Sequence, residues 1–365
     1  MTLNSVYKIE SLENIFNELV ERSKSNLTGS FNEIQKLEND NISTPYEEKY
    51  EVEDLFYDRD EIVKFNPSGA IQAKIAAVDV GATKIGETSD GALVAFRGCI
   101  IIMHLDRQQN LFYRTGPILL SNTYKVKNLH LIGQQLGDDS LFVKLDNNTP
   151  IETKSGAADN INQYSDRIRN LIERKLQERA ASLISNGFLL IDGALTRNTR
   201  DTPIKFIEEN ILRNAFSHHN RVIAISKKST LQVKNVPIHY LLDDHPNKAC
   251  FRNIQRKLDE SSNSSNKRNF GEMYVTRFSE YGPTFRVDVC VENGDDCRAA
   301  LQDLWSICGM RNGYPEPLVR AHIHTYIPWS KLTSMRAEAI VRYGIRKIQE
   351  VDFGGAFAPF GGGFK

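Results

Sequence analysis

NGFLLIDGAL, residues 186–195, decides how this chain folds. Asn186-Gly187 is turn chemistry, FLLID is a short apolar run of the kind buried inside a sheet, and Gly193 breaks it. The stretch before it, roughly residues 160 to 185, sets Ile168, Leu171, Ile172, Leu176, Ala180, Leu183 and Ile184 on one stripe at about 100° per residue, the mark of an amphipathic helix. A helix, a turn and a buried strand in succession predict an α/β fold, with a sheet flanked by helices.

Working outward, KIAAVDV (74–80) and GALVAFRGCIIIMHL (91–105) read as strands joined in a hairpin through GETSDG (86–91). Downstream come a helix over 203–216, a strand at RVIAIS (221–226), strands at EMYVTRF and PTFRVDVCV, and a helix over 295–308. A segment opened by Tyr314-Pro315 and a helix after Trp329-Ser330 complete the pattern. Residues 1–70 read as a helical N-terminal extension, with Leu12, Ile15, Phe16, Leu19 and Val20 at helical spacing. The folded domain is expected over 71–350, interrupted by a mobile polar loop at about 258–271 (LDESSNSSNKRNFGE begins at 258). A flexible Gly/Phe-rich tail is expected over 351–365.

Among 365 residues, Lys+Arg and Asp+Glu both number 46, so the formal net charge is zero. Composition announces no polyanionic partner, and a phosphate-binding surface would have to be a local patch. Five scattered cysteines with no CxxC pair are expected to be free thiols, which together with the absence of a signal-like N-terminus predicts a cytoplasmic protein. No apolar stretch approaches the roughly 18 residues needed to cross a bilayer.

The chemistry concentrates on acidic residues. Asp79 is expected to end the first strand and Asp192 ends FLLID, where Gly193 would let the backbone pass close to a ligand. A carboxylate at the end of a buried strand needs a cation, a donor or water; a simple turn or capping role is the plain alternative. Glu173 lies at the border of the helix stripe and can reach inward, although pairing with Arg169 or Arg174 on the surface would also explain it. Glu178 points farther toward solvent. Three converging carboxylates require divalent cations, and oxygen ligands favour Mn²⁺ or Mg²⁺, two of which can serve both reacting oxygens of a phosphodiester.

Taken in order, AAVD (Asp79), the helix bearing Glu173, LLIDGALT (Asp192), VIAISKKS (Lys227), MYVTRF with FRVDV, and GYPEPLVRAH (His322) resemble the NurA family of DNA-end-processing nucleases over residues 72–330. The resemblance implies an RNase H-like mixed sheet, a metal site of Asp79, Glu173, Asp192 and His322, and Tyr314 as a further active-site residue. It also implies a homodimer working with a HerA-type hexameric ATPase on DNA ends, with single-strand endonuclease and exonuclease action. His322 would ligate the metal or hold a proton for the leaving oxygen; His324 falls on another face of the helix. The family places glycine directly after its first aspartate, whereas here Val80 intervenes and Gly81 comes second.

Lys227, Arg169 and Arg174 are candidates to hold substrate phosphates, against the plain reading of solvated basic positions. No GxxxxGK[ST] loop is present, so any motor must be another chain. Two rival readings stand. VDVGATKI (78–85) also resembles the phosphate-binding loop of actin-like sugar kinases, and a non-catalytic adaptor of a DNA translocase would use the N-terminal extension and the Phe-rich tail.

Overall fold

The computed structural model describes residues 3–6, 62–66, 72–88, 91–105, 107–121, 161–195, 206–227, 229, 232–233, 236–242, 248–254, 270–292 and 294–343. In chain order its main elements are β1 (Leu3–Val6), β2 (Val63–Lys64), β3 (Ile75–Thr88), β4 (Gly91–His104), β5 (Arg107–Ser121), α1 (Ile161–Leu183) and β6 (Phe188–Asp192). There follow α2 (Arg213–Ser217), entered through a π-helical stretch at Phe206–Leu212, then β7 (Arg221–Ser226), β8 (Cys250–Asn253), β9 (Glu272–Arg277) and β10 (Phe285–Cys290). Three helices end the described residues: α3 (Cys297–Ile307), α4 (Glu316–Thr325) and α5 (Trp329–Tyr343).

Ten strands form one sheet in the order β1-β5-β4-β3-β6-β7-β10-β9-β8-β2. The antiparallel meander β3-β4-β5 lies to one side of β3, and β6 and β7 add parallel on the other. This central order, 3-2-1-4-5 when counted from β3, is that of an RNase H-like sheet, here widened by β10, β9 and β8.

Alternation along the strands divides the core into two layers. Ala76, Val78, Val80, Leu189 and Ile191 face α1 and meet Ile168, Ile172, Leu176 and Ala180. Ile75, Ala77, Phe188, Leu190, Ile223 and Ile225 face the other way, toward Leu301 and Leu304 of α3 and Leu318 and Ala321 of α4. Full burial of each such aliphatic side chain stabilises by about 1.5–3 kcal/mol, enough to hold both helical layers on the sheet.

Three sequence expectations are revised and one strand is added. The first strand does not end at Asp79: it runs to Thr88, paired with β4 throughout, because Ile85, Leu93 and Ala95 of the distal hairpin find their own cover in Ile327, Leu332 and Ala339. The N-terminal extension is not helical at its two described ends, which supply edge strands β1 and β2; its helix-like positions 12–20 lie outside the described residues. The end of the polar loop is anchored, since Phe270 is buried and donates its N–H to the Leu195 carbonyl; residues 258–269 and the tail lie outside the described residues. β5 has no clear sequence signature because Gly116-Pro117 interrupts its pattern, yet Asn110–Tyr113 are buried within it.

Candidate active site

The site is set by strand register. β3 pairs with β6 only from Ile75–Phe188 to Ala77–Leu190; two residues further in that register stand Asp79 and Asp192, side by side where the ladder stops. Both therefore share the face of Ala77 and Leu190, toward α4. Glycines open the path: Gly187, before β6, has the Lys74 carbonyl 2.4 Å from where a Cβ would sit, which lets Phe188 N–H reach that carbonyl at 2.8 Å.

Asp79 is buried and fully engaged. Its Oδ1 accepts the N–H of Val80 at 2.8 Å, and its Oδ2 accepts from His322 Nδ1 at 2.8 Å and from the Thr325 hydroxyl at 3.3 Å. Burial pushes its pKa up, but the His322 hydrogen bond and charge, the Val80 amide and the Arg169 charge outweigh that, leaving it below the ordinary value. His322 is correspondingly raised, chiefly by its hydrogen bond to Asp79 against the opposing effect of burial. His324 does not join: it packs edge-on against Phe112 at 5.7 Å, and burial lowers its pKa.

Asp192 has a separate set of partners. Lys227 Nζ lies 2.7 Å from Oδ2 and Tyr314 OH donates to Oδ1 at 3.1 Å, while the ammonium also sits 4.6 Å over the Tyr314 ring. Burial and the Asp192 charge push the Tyr314 phenol far above its ordinary range, so it stays a donor. The backbone beyond Asp192 is tied down three times: Gly193 N–H to Ile225 O, Leu195 N–H to the buried Asp288 carboxylate, and Leu195 O to Phe270 N–H. Asp288 is itself gripped by both Nε and Nη2 of Arg286 at 2.9 Å.

Glu173 comes from α1 on the opposite layer. Although the residue as a whole is only partly covered, its carboxyl group is enclosed. Burial pushes it up to about 7, with Arg174 and Arg169 opposing and the charges of Asp79 and Asp192 adding to the rise. The fully buried Gln177, one turn on, donates to Glu173 Oε1 at 3.1 Å and accepts from Arg174 at 2.9 Å. Glu178 instead pairs with Lys175 at 2.7 Å.

Val80, which stands where the resemblance would put glycine, points away from the site. It lies in the α1 layer at 1% exposure, and Gly98 on β4 makes the room: a Cβ there would fall 2.4 Å from Leu176 Cδ1 and 3.4 Å from Val80 Cγ2. Gly81 takes the site face, with the Thr325 carbonyl 3.0 Å from its missing Cβ. Thr325, Gln177 and Asp288 escaped the sequence reading. Only Thr325 left a local signal, one helical turn after His322.

Asp79, Asp192, Tyr314, Lys227 and His322 thus gather at the end of the β3/β6 ladder with Glu173 beneath, and Arg169 lies near enough for its charge to act on both Asp79 and Glu173. Arg174 is turned to Gln177. Among the described residues no three His, Cys, Asp or Glu side chains are gathered tightly enough to hold a metal ion as they stand. The donor set nevertheless suits a hard cation: three carboxylates lie close together, and burial with the charges of Asp79 and Asp192 keeps Glu173 raised even against Arg174 and Arg169.

No protein-family model and no curated protein matches the sequence. Among solved structures the chain is similar to the NurA nuclease from Sulfolobus solfataricus, at 13% identity and TM-score 0.44, over 92% of this chain and 95% of that one. It is similar to NurA bound to dAMP and manganese, at 11% identity and TM-score 0.42, over 78% of this chain and 91% of that one. It is also similar to the catalytic domain of human Endonuclease V, at 12% identity and TM-score 0.34, over 91% and 98%. The strand order and the site geometry stand independently of these likenesses.

Proposed function

We propose that the chain is a divalent-metal-dependent nuclease that hydrolyses phosphodiester bonds at DNA ends, acting on single strands both internally and from an end. The observation that carries this reading is the register that sets Asp79 beside Asp192 where β3 and β6 part, with the enclosed Glu173 carboxyl feeling both charges. Fold alone would not suffice, since one architecture hosts many chemistries.

In this reading Asp79, Glu173 and Asp192 hold Mn²⁺ or Mg²⁺, two ions in all, with His322 as a further ligand or proton carrier. The ions would supply an activated water and charge compensation at the phosphate. The remaining roles belong to the protein's own groups. His322, exposed and hydrogen-bonded to Asp79, can hand a proton to the departing oxygen. Tyr314 orients Asp192 through its hydroxyl. Lys227 and Arg169, lying beside the carboxylates, take the phosphates of the strand, and Arg174 fixes Gln177 and through it Glu173. Lys227 must leave Asp192 as substrate and metal arrive. A homodimer docked on a HerA-type hexameric ATPase, with residues 71–350 and the edge strands β1 and β2 together as the nuclease unit, completes the proposal.

The sugar-kinase reading loses support because VDVGATKI is strand interior and Gly81 lies against the Thr325 carbonyl instead of an open phosphate cradle. The adaptor reading keeps one observation in its favour: Asp79 and Asp192 are already satisfied by His322 and Lys227. End-labelled single- and double-stranded DNA incubated with Mn²⁺ or Mg²⁺ separates the two. The wild type is expected to cleave only with metal and D192N to fall to background. Should neither metal support cleavage, with or without a motor partner, or should D79A and D192A leave DNA processing unchanged, the nuclease reading fails.

A further inference from the structure

Asp79 Oδ2 has two groups of opposite character within donor reach, both carried by α4 and one turn apart. The His322 side chain is 73% exposed and free to turn outward. Thr325 is 3% exposed and wedged against β3, where the absence of a side chain at Gly81 admits its backbone carbonyl. We propose that Thr325 is the fixed positioning residue for Asp79, taking over its Oδ2 when His322 leaves that oxygen for the metal or the substrate; the proposal rests on the nuclease reading above.

The hydroxyl has one proton and two acceptors in reach, the His322 carbonyl at 2.8 Å and Asp79 Oδ2 at 3.3 Å. Threonine in a helix readily bonds the carbonyl three or four residues back, so that bond is the resting state while the imidazole serves Asp79. When the imidazole turns away, rotation about the Cβ–Oγ1 bond delivers the same proton to Asp79. No other atom need move, and the carboxylate keeps the orientation that Val80 N–H fixes at its other oxygen. A carboxylate facing a cation through one oxygen and losing its donor on the other would swing, and such supporting groups are worth about 10–100-fold in metal affinity.

The test is a Mn²⁺ titration of the full chain, followed by the paramagnetic resonance of free Mn²⁺, alongside kcat and KM for single-stranded DNA. T325V keeps the packed shape and removes the donor; T325S keeps the donor. T325V is expected to bind Mn²⁺ about tenfold more weakly and to lose kcat with KM for DNA unchanged, while T325S stays near the wild type. G81A, whose added Cβ crowds the Thr325 carbonyl at 3.0 Å, is expected to weaken Mn²⁺ in the same direction. Wild-type Mn²⁺ affinity in T325V, even with a lowered melting temperature, overturns the inference and leaves the nuclease reading intact. Failure of the wild type itself to bind Mn²⁺ and cleave overturns both.

Discussion

At the scale of the residue, the site is a balance of charges. Glu173 carries the cost of that balance: in the folded chain its pKa is about 7, against 4.5 as the ordinary value. The folded state therefore binds an extra proton between those two values, and the stability this gives is full below about pH 4.5 and is lost as pH rises through 7. In metal-free protein E173Q is accordingly expected to be more stable than wild type at pH 8, by about 1–3 kcal/mol, with the difference vanishing near pH 4.5. Thermal unfolding in the presence of a chelator at the two pH values checks this. Adding Mn²⁺ at pH 8 is expected to raise the wild-type midpoint and to leave that of E173Q nearly unmoved; the reverse order would detach Glu173 from the metal. Tyr314 offers a second residue-level check: Y314F removes a donor to Asp192 and is expected to lower cleavage while costing only about 0.5–1.5 kcal/mol of stability in urea unfolding.

Between elements, close approach is bought with glycine. The turn from α1 into β6 passes through Asn186, at φ 51°, and Gly187, whose missing Cβ makes space for the Lys74 carbonyl of the chain leading into β3. This contact fixes the β3–β6 register and with it the pairing of Asp79 and Asp192. G187A must displace backbone, so it is expected to destabilise by about 1–3 kcal/mol and to weaken Mn²⁺ binding as well, measured by urea unfolding and metal titration. G98A tests the other layer, where an added methyl meets only the tip of Leu176; the smaller loss expected there distinguishes displaced backbone from displaced side chain. If the two substitutions cost the same, the backbone contact is not what sets the register.

For the whole molecule, the sheet reaches back to collect residues that precede the first long strand. β2 pairs with β8, and Phe65 beside it is buried, stacked on Trp305 at 5.0 Å and tilted against Phe251 at 4.8 Å. A boundary at residue 70/71 would strip this aromatic seat from the core. F65A is expected to cost about 3–5 kcal/mol, and a chain beginning at residue 71 to melt lower than one beginning at residue 60, by calorimetry. The five cysteines are free and buried, and no described helix is long and apolar enough to cross a membrane. By itself the sequence determined what short-range patterning can encode: FLLID and RVIAIS as buried strands, the GETSDG hairpin, the stripe of α1 that turns Glu173 inward and Glu178 outward, and two aspartates on apolar runs. It could not encode that β3 continues past Asp79, since only the packing of Ile327, Leu332 and Ala339 rewards the continuation. Nor could it encode which face Val80 takes or that His322, read as the site histidine, hydrogen-bonds Asp79 itself, 243 residues away in the chain. Those choices belong to the tertiary structure, because each depends on register and helix seating between distant segments, and a shift of one residue would send every side chain to the opposite face.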